Sequence, residues 1–188
     1  LFQMAINWVA AAPTEIPDIP KYAYAENSAV FQTKLGKFQE ELLKAQTSEK
    51  IFPLVVSVTG EIGGNSFDHN LGRWPDTVGI FFAYNTERRE VILADRGLGV
   101  LATLKKARPE LIDDVAALNT AFTEILSGRT EESRGNGLKF VRTVVTNNLI
   151  SLRFQSGNAE LEIKRDSSDL DLKTAVQSVR GCVAYIRY

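Results

Sequence analysis

Three glycines within five positions, Gly60, Gly63 and Gly64, sit inside an otherwise helical stretch from Val58 to Asn70 that holds the chain's only histidine, His69. Each interior glycine costs a helix about 1 kcal/mol relative to alanine. A helix that keeps three of them needs the close backbone approach that glycine alone permits. At 100° per residue, Leu54, Val58, Glu61, Asn65 and Asp68 recur every three or four positions and share one stripe. The stripe starts apolar and turns acidic and amidic. Polar groups that continue a core-facing line predict partly buried side chains lining a cavity. A solvated glycine-rich loop is the alternative for this window, and the segments that follow argue against it.

The 188 residues suffice for one domain with a substantial core. Hydrophobic content of 44% and charged content of 24% are those of an ordinary globular chain. A net charge of −1 carries no electrostatic footprint for nucleic acid or a membrane surface. A lone cysteine, Cys182, rules out an internal disulfide, and with one histidine it rules out the usual Cys/His zinc cages; a reducing cytoplasm fits. No apolar run approaches the roughly 18 residues of a membrane span, and no signal peptide is evident. Leu1-Phe2-Gln3 ahead of Met4 reads as the remnant of a cleavable tag. Residues 4–50 then form an N-terminal extended arm and helix, and 51–188 the main domain.

Pro13, Pro17 and Pro20, with few periodic apolar residues between them, make 8–27 an extended arm. Phe31, Leu35, Phe38 and Leu42 define a helix from Ser28 to about Glu49 with a narrow apolar stripe, either packed on its own domain or paired in a homodimer through 28–49. The helix holding Glu61 follows, with Pro53 in its first turn. Two β-rich runs, 78–84 and 90–94, flank a hairpin turn. Short helices are expected over 100–107 and 111–126, divided near Pro109, then a polar stretch from Ser127 to Gly137 and a helix from Leu138 to Thr146. A second hairpin spans 149–164, a polar insertion 166–178 and a closing strand 182–188. This order predicts an α/β (α+β) two-layer sandwich, a mixed, mainly antiparallel sheet with helices on one face.

Three elements carry the chemistry. Glu61-x-x-x-Asn65 lies on a helix, Asp95-x-Gly97-x-Gly99 leaves the end of a strand, and Arg134-Gly135-Asn136-Gly137 enters a helix with Lys139 just inside it. Taken singly, each glycine is as well explained by a turn. Together, in this order, they resemble the GHKL superfamily of ATP-binding domains, which groups gyrase, a heat-shock chaperone, histidine kinases and a mismatch-repair ATPase. The resemblance covers about 51–188. It matches Glu61/Asn65 to the asparagine box, Asp95/Gly97/Gly99 to the first glycine box, Gly135/Gly137 to the second, and 181–186 to the terminal strand.

The resemblance implies the Bergerat-type fold, ATP/ADP and Mg²⁺ as ligands, and a lid over 100–134. It also implies a role for each box. Asn65 offers an amide oxygen to Mg²⁺. Glu61, one turn earlier on the same face, orients or deprotonates the attacking group. Asp95 accepts a hydrogen bond from the exocyclic amine of adenine, where guanine offers an acceptor instead. Gly97 and Gly99 allow close approach and a hinge, and Gly135 and Gly137 bring backbone N–H groups to the phosphates, with Arg134 and Lys139 adding positive charge.

With His69 inside the asparagine box and no second histidine to accept a phosphoryl group, the chain is not a self-contained histidine kinase. A stand-alone histidine-kinase-like ATPase remains, as does a serine kinase of the anti-sigma type acting on a protein substrate or regulatory partner. A non-catalytic, nucleotide-gated interaction module is the reading from a different class. Two departures touch the pattern: Cys182 stands where the family often has threonine, and 166–178 is inserted ahead of it. The run Gly97-x-Gly99-x-x-Ala102 also satisfies a dinucleotide fingerprint. Asp95 would repel a pyrophosphate there, and the preceding strand reads as a hairpin arm, not as the start of a βαβ unit.

Overall fold

Residues 1–124 and 136–188 are described by the structure, a computed structural model. Its centre is a seven-stranded sheet in the order β1-β2-β3-β7-β4-β5-β6. The strands are β1 (Tyr24–Ala25), β2 (Ile80–Asn85), β3 (Glu90–Asp95), β4 (Ser151–Ser156), β5 (Ala159–Ile163), β6 (Asp171–Thr174) and β7 (Cys182–Arg187). Every pairing is antiparallel, so the strand ahead of Gly97 is no part of a βαβ unit. The helices are α1 (Phe2–Ala10), α2 (Ser28–Lys44), α3 (Phe52–Asn70), α4 (Gly99–Leu104), α5 (Asp114–Thr123) and α6 (Gly137–Thr146). The architecture is the expected α+β sandwich, with α2 to α6 on one face.

Helix starts follow local chemistry. Asn27 accepts from the Val30 N–H at 3.0 Å to open α2, and Asp113 accepts from the Ala116 N–H at 2.7 Å to open α5. The stripe Phe31, Leu35, Phe38 and Leu42 is buried in the chain's own core, with Phe38 tilted against Tyr84 at 4.5 Å between ring centroids. A Cβ on Gly63 would come within 2.2 Å of the Phe31 ring, and one on Gly60 within 3.2 Å of Leu35. Two of the three helical glycines therefore let α2 lie close against α3.

Alternation along β3 divides the protein into two apolar clusters. Val91 and Leu93 face the core beneath α2 to α6, while Ile92 and Ala94 face the other way, onto Ala5, Trp8 and Val9 of α1. The N-terminal segment therefore differs from the expected arm. Within 8–27 only 11–20 and 26–27 lack regular structure; the residues before 11 form α1, whose Phe2 ring lies 5.0 Å from that of Tyr185. A nine-residue helix is too short to hold itself together in water, and contact with the sheet supplies what its local sequence does not. The polar insertion likewise contains β6, which extends the sheet by pairing with β5.

Candidate functional site

A cavity of about 620 Å³ opens between α3, the ends of β3 and β7, α4 and the start of α6. That is within the size range of small-molecule sites. Asp95 closes β3 at its inner end. Its carboxylate is almost wholly buried, accepting from Ser66 Oγ through Oδ2 and from the Gly97 N–H through Oδ1, both at 2.8 Å. Loss of hydration pushes its pKa up to about 6, against the downward pull of the hydrogen bonds from Ser66 and from the Gly97 and Cys182 backbones. A carboxylate has about four acceptor sites, so the three protein donors leave one for a ligand.

The loop after Asp95 is held from α3. Asn70 donates to the Ser66 carbonyl and accepts from the Leu98 N–H, each at 2.8 Å. A Cβ on Gly97 would lie 2.1 Å from Asn70 Nδ2, so this glycine is explained by the buried amide pressed against it. Gly99 has φ of +78° and opens α4; Val100 N–H then donates to Ser156 Oγ at 2.9 Å. Gly181, with φ of +62°, is fixed more tightly: a Cβ there would meet the Asp95 carbonyl and Oδ1 at 2.3 Å. Cys182 joins the wall beside Asp95, and burial pushes its thiol well above the ordinary range.

Glu61 and Asn65 line the other end. A Cβ on Gly137 would fall 1.8 Å from Glu61 Oε1 and 2.9 Å from Asn65 Nδ2, so both side chains meet the first residue of α6. The structure thus brings Glu61, Asn65, Asp95, Gly99 and Gly137 into one cavity wall, with Gly97 directly behind it. Lys139 lies in the first turn of α6, donates to Asn136 Oδ1 at 3.2 Å and is not part of that wall. Arg134, Gly135 and the 127–134 half of the expected lid lie outside the described residues; the other half contains α4 and α5. His69, expected as a structural hydrogen-bonder and not a catalyst, and Arg73, with no expected role, also stand on the wall.

Among the described residues no group of three or more His, Cys, Asp or Glu side chains could hold a metal ion. The donor set is one amide, Asn65, beside one carboxylate, Glu61. That suits a hard cation that keeps its waters and arrives with phosphate oxygens. No helix among the described residues is long and apolar enough to cross a membrane.

Sequence reasoning passed over Ser66, Asn70 and Ser156, and met Gly181 only as the start of the terminal strand. Ser66 and Asn70 are four apart on α3, a spacing that puts them on one face, but their partners in 95–98 are nearly thirty residues away. Comparison with known proteins gives no match, either to a protein-family model or to a curated protein.

Proposed function

We propose that the chain binds Mg²⁺-ATP in this cavity and passes its γ-phosphate to water or to a side chain of a partner protein. The observation that carries this reading is the buried Asp95 carboxylate, oriented through both oxygens, in one cavity with Glu61 and Asn65 at the start of a helix. Asp95 accepts from the exocyclic amine of adenine. Guanine would set a carbonyl oxygen against the same carboxylate, so GTP is excluded. Asn65 lends its amide oxygen to a magnesium ion, whose charge offsets that of the phosphates when bound. Glu61, one turn away, orients the attacking hydroxyl and takes its proton.

The ligand set follows from the resemblance of the three boxes, and their convergence in space supports it. A calorimetric titration with ATP, ADP and GTP, each with Mg²⁺, tests it. ATP and ADP should bind and GTP should not; equal affinity for ATP and GTP, or no binding of ATP, removes the reading. Binding without phosphate release, with or without candidate partners, would instead favour a nucleotide-gated module.

A further inference from the structure

Asp95 and Arg96 are consecutive, and strand alternation sends them to opposite faces of the sheet. Asp95 enters the cavity; Arg96 turns to α1. Its side chain is completely buried and every nitrogen is used. Nε and Nη2 hold the two Asp76 oxygens at 3.0 and 2.7 Å, Nη2 also reaches the Ala11 carbonyl at 3.0 Å, and Nη1 donates to the Trp8 carbonyl. The guanidinium lies 6.0 Å from the Trp8 ring centroid. The Trp8 carbonyl is one of those a helix leaves without an internal partner at its C-terminus, where the helix dipole also favours a cation.

A second tie runs beside the first. The Arg180 N–H donates to the Val9 carbonyl at 2.9 Å, and its guanidinium stands 3.7 Å from Asp76. The next residue, Gly181, is the one pressed against Asp95. The end of α1 is therefore fastened to both segments that shape the Asp95 end of the cavity.

We propose that Arg96 is a positioning residue that couples α1, on the far face of the sheet, to the Asp95–Gly99 segment. Seating or displacing α1 then sets nucleotide affinity. The consequence for affinity rests on the nucleotide reading; the mechanical coupling does not. A buried guanidinium that loses acceptors cannot stay where it is without a large desolvation cost. If α1 leaves, Arg96 loses two carbonyl acceptors and the ring beside it, so only Asp76 still holds a side chain whose backbone joins Asp95 to Gly97. A partner that captures α1 would loosen the cavity, and a nucleotide that fixes Asp95 would hold α1 down, because coupling between sites is reciprocal.

The test is hydrogen exchange on the full chain, comparing wild type with Trp8→Ala and Arg96→Lys, each with and without Mg²⁺-ATP. Trp8→Ala removes the ring that seats α1. It should speed exchange in α1 and, across the sheet, in 96–101 by about tenfold, in the range of ordinary couplings. It should also weaken ATP binding by a similar factor. Arg96→Lys keeps the charge and loses the fork. Mg²⁺-ATP should slow exchange of α1 in wild type and lose that effect in this variant.

Faster exchange in α1 with 96–101 unchanged would overturn the coupling. So would ATP that binds and protects the cavity yet leaves α1 untouched in wild type. If ATP does not bind wild type at all, the nucleotide reading fails by itself, and the response of 96–101 to Trp8→Ala still decides the coupling. Should Arg96→Lys fail to fold, Trp8→Ala carries both arms.

Discussion

At one end of the cavity Asp95, Ser66, Asn70, Gly97 and Leu98 are joined by four hydrogen bonds of 2.8 Å, and two of the partners, Asp95 and Asn70, are almost wholly buried. At the other end Glu61 and Asn65 are only partly buried and make no side-chain hydrogen bond with any described residue. The difference is one of preorganisation. A carboxylate held through both oxygens presents a fixed acceptor and discriminates among ligands by what they offer it. Side chains with unused hydrogen-bonding capacity can instead be recruited by an incoming group. In the proposed function the first end selects the base and the second does the chemistry.

The largest effect should come from the second end. Glu61→Ala should reduce phosphate transfer by roughly 10²- to 10⁴-fold, the range for a positioned acid–base group, while calorimetry finds Mg²⁺-ATP affinity nearly unchanged. Loss of affinity in step with turnover would erase the division of labour between the two ends.

Next comes Asp95→Asn. The amide keeps an acceptor for the Gly97 N–H and turns its NH₂ towards Ser66 Oγ, so the fold should survive. ATP affinity should fall by about 1.5–3 kcal/mol, the range for hydrogen bonds to charged groups. Discrimination against GTP should shrink with it. An undiminished ATP affinity would place the base elsewhere.

The third effect is in pH. Asp95 has its folded pKa raised from 3.8 to about 6 by burial. A raised carboxylate pKa means that ionisation favours the unfolded chain, so this group's contribution to stability is greatest below pH 4 and declines as pH climbs through 6. Nucleotide affinity should run the opposite way, because the ionised form is the acceptor. ATP binding should strengthen by about tenfold between pH 5 and 7, following the ionised fraction. Thermal melts and titrations across this range measure both trends, and Asp95→Asn should flatten both.

Smallest is Ser66→Ala. Its hydroxyl helps keep the Asp95 carboxylate ionised, so its loss should move the midpoint of the pH–affinity curve upward with little change above pH 7. An unmoved midpoint would mean that Ser66 plays no part in tuning the carboxylate.

The chain's local pattern specified a good deal by itself. The apolar spacing of Phe31, Leu35, Phe38 and Leu42, the β-rich runs around 80–95 and the helical spacing of Glu61 and Asn65 all emerged in the structure, because each depends on a period of two or 3.6 residues that sequence displays directly. The order of Glu61/Asn65, Asp95 and Gly137 along the chain was legible from the resemblance of the three boxes, not from any period. Their meeting in one cavity was not, since it depends on how α3 and α6 cross.

Tertiary structure alone decided three matters. Gly97 and Gly181 look like any loop glycines until Asn70 and Asp95 are seen pressed against them. Ser66 and Asn70 became partners of a loop far along the chain only when α3 was laid beside β3. The segment before Pro13 carried too few residues to declare a helix, and it folds because Arg96 and an apolar sheet face receive it. Local periodicity fixes which face of an element is apolar. Which buried polar group finds which partner depends on distances between elements, and those exist only once the chain has packed.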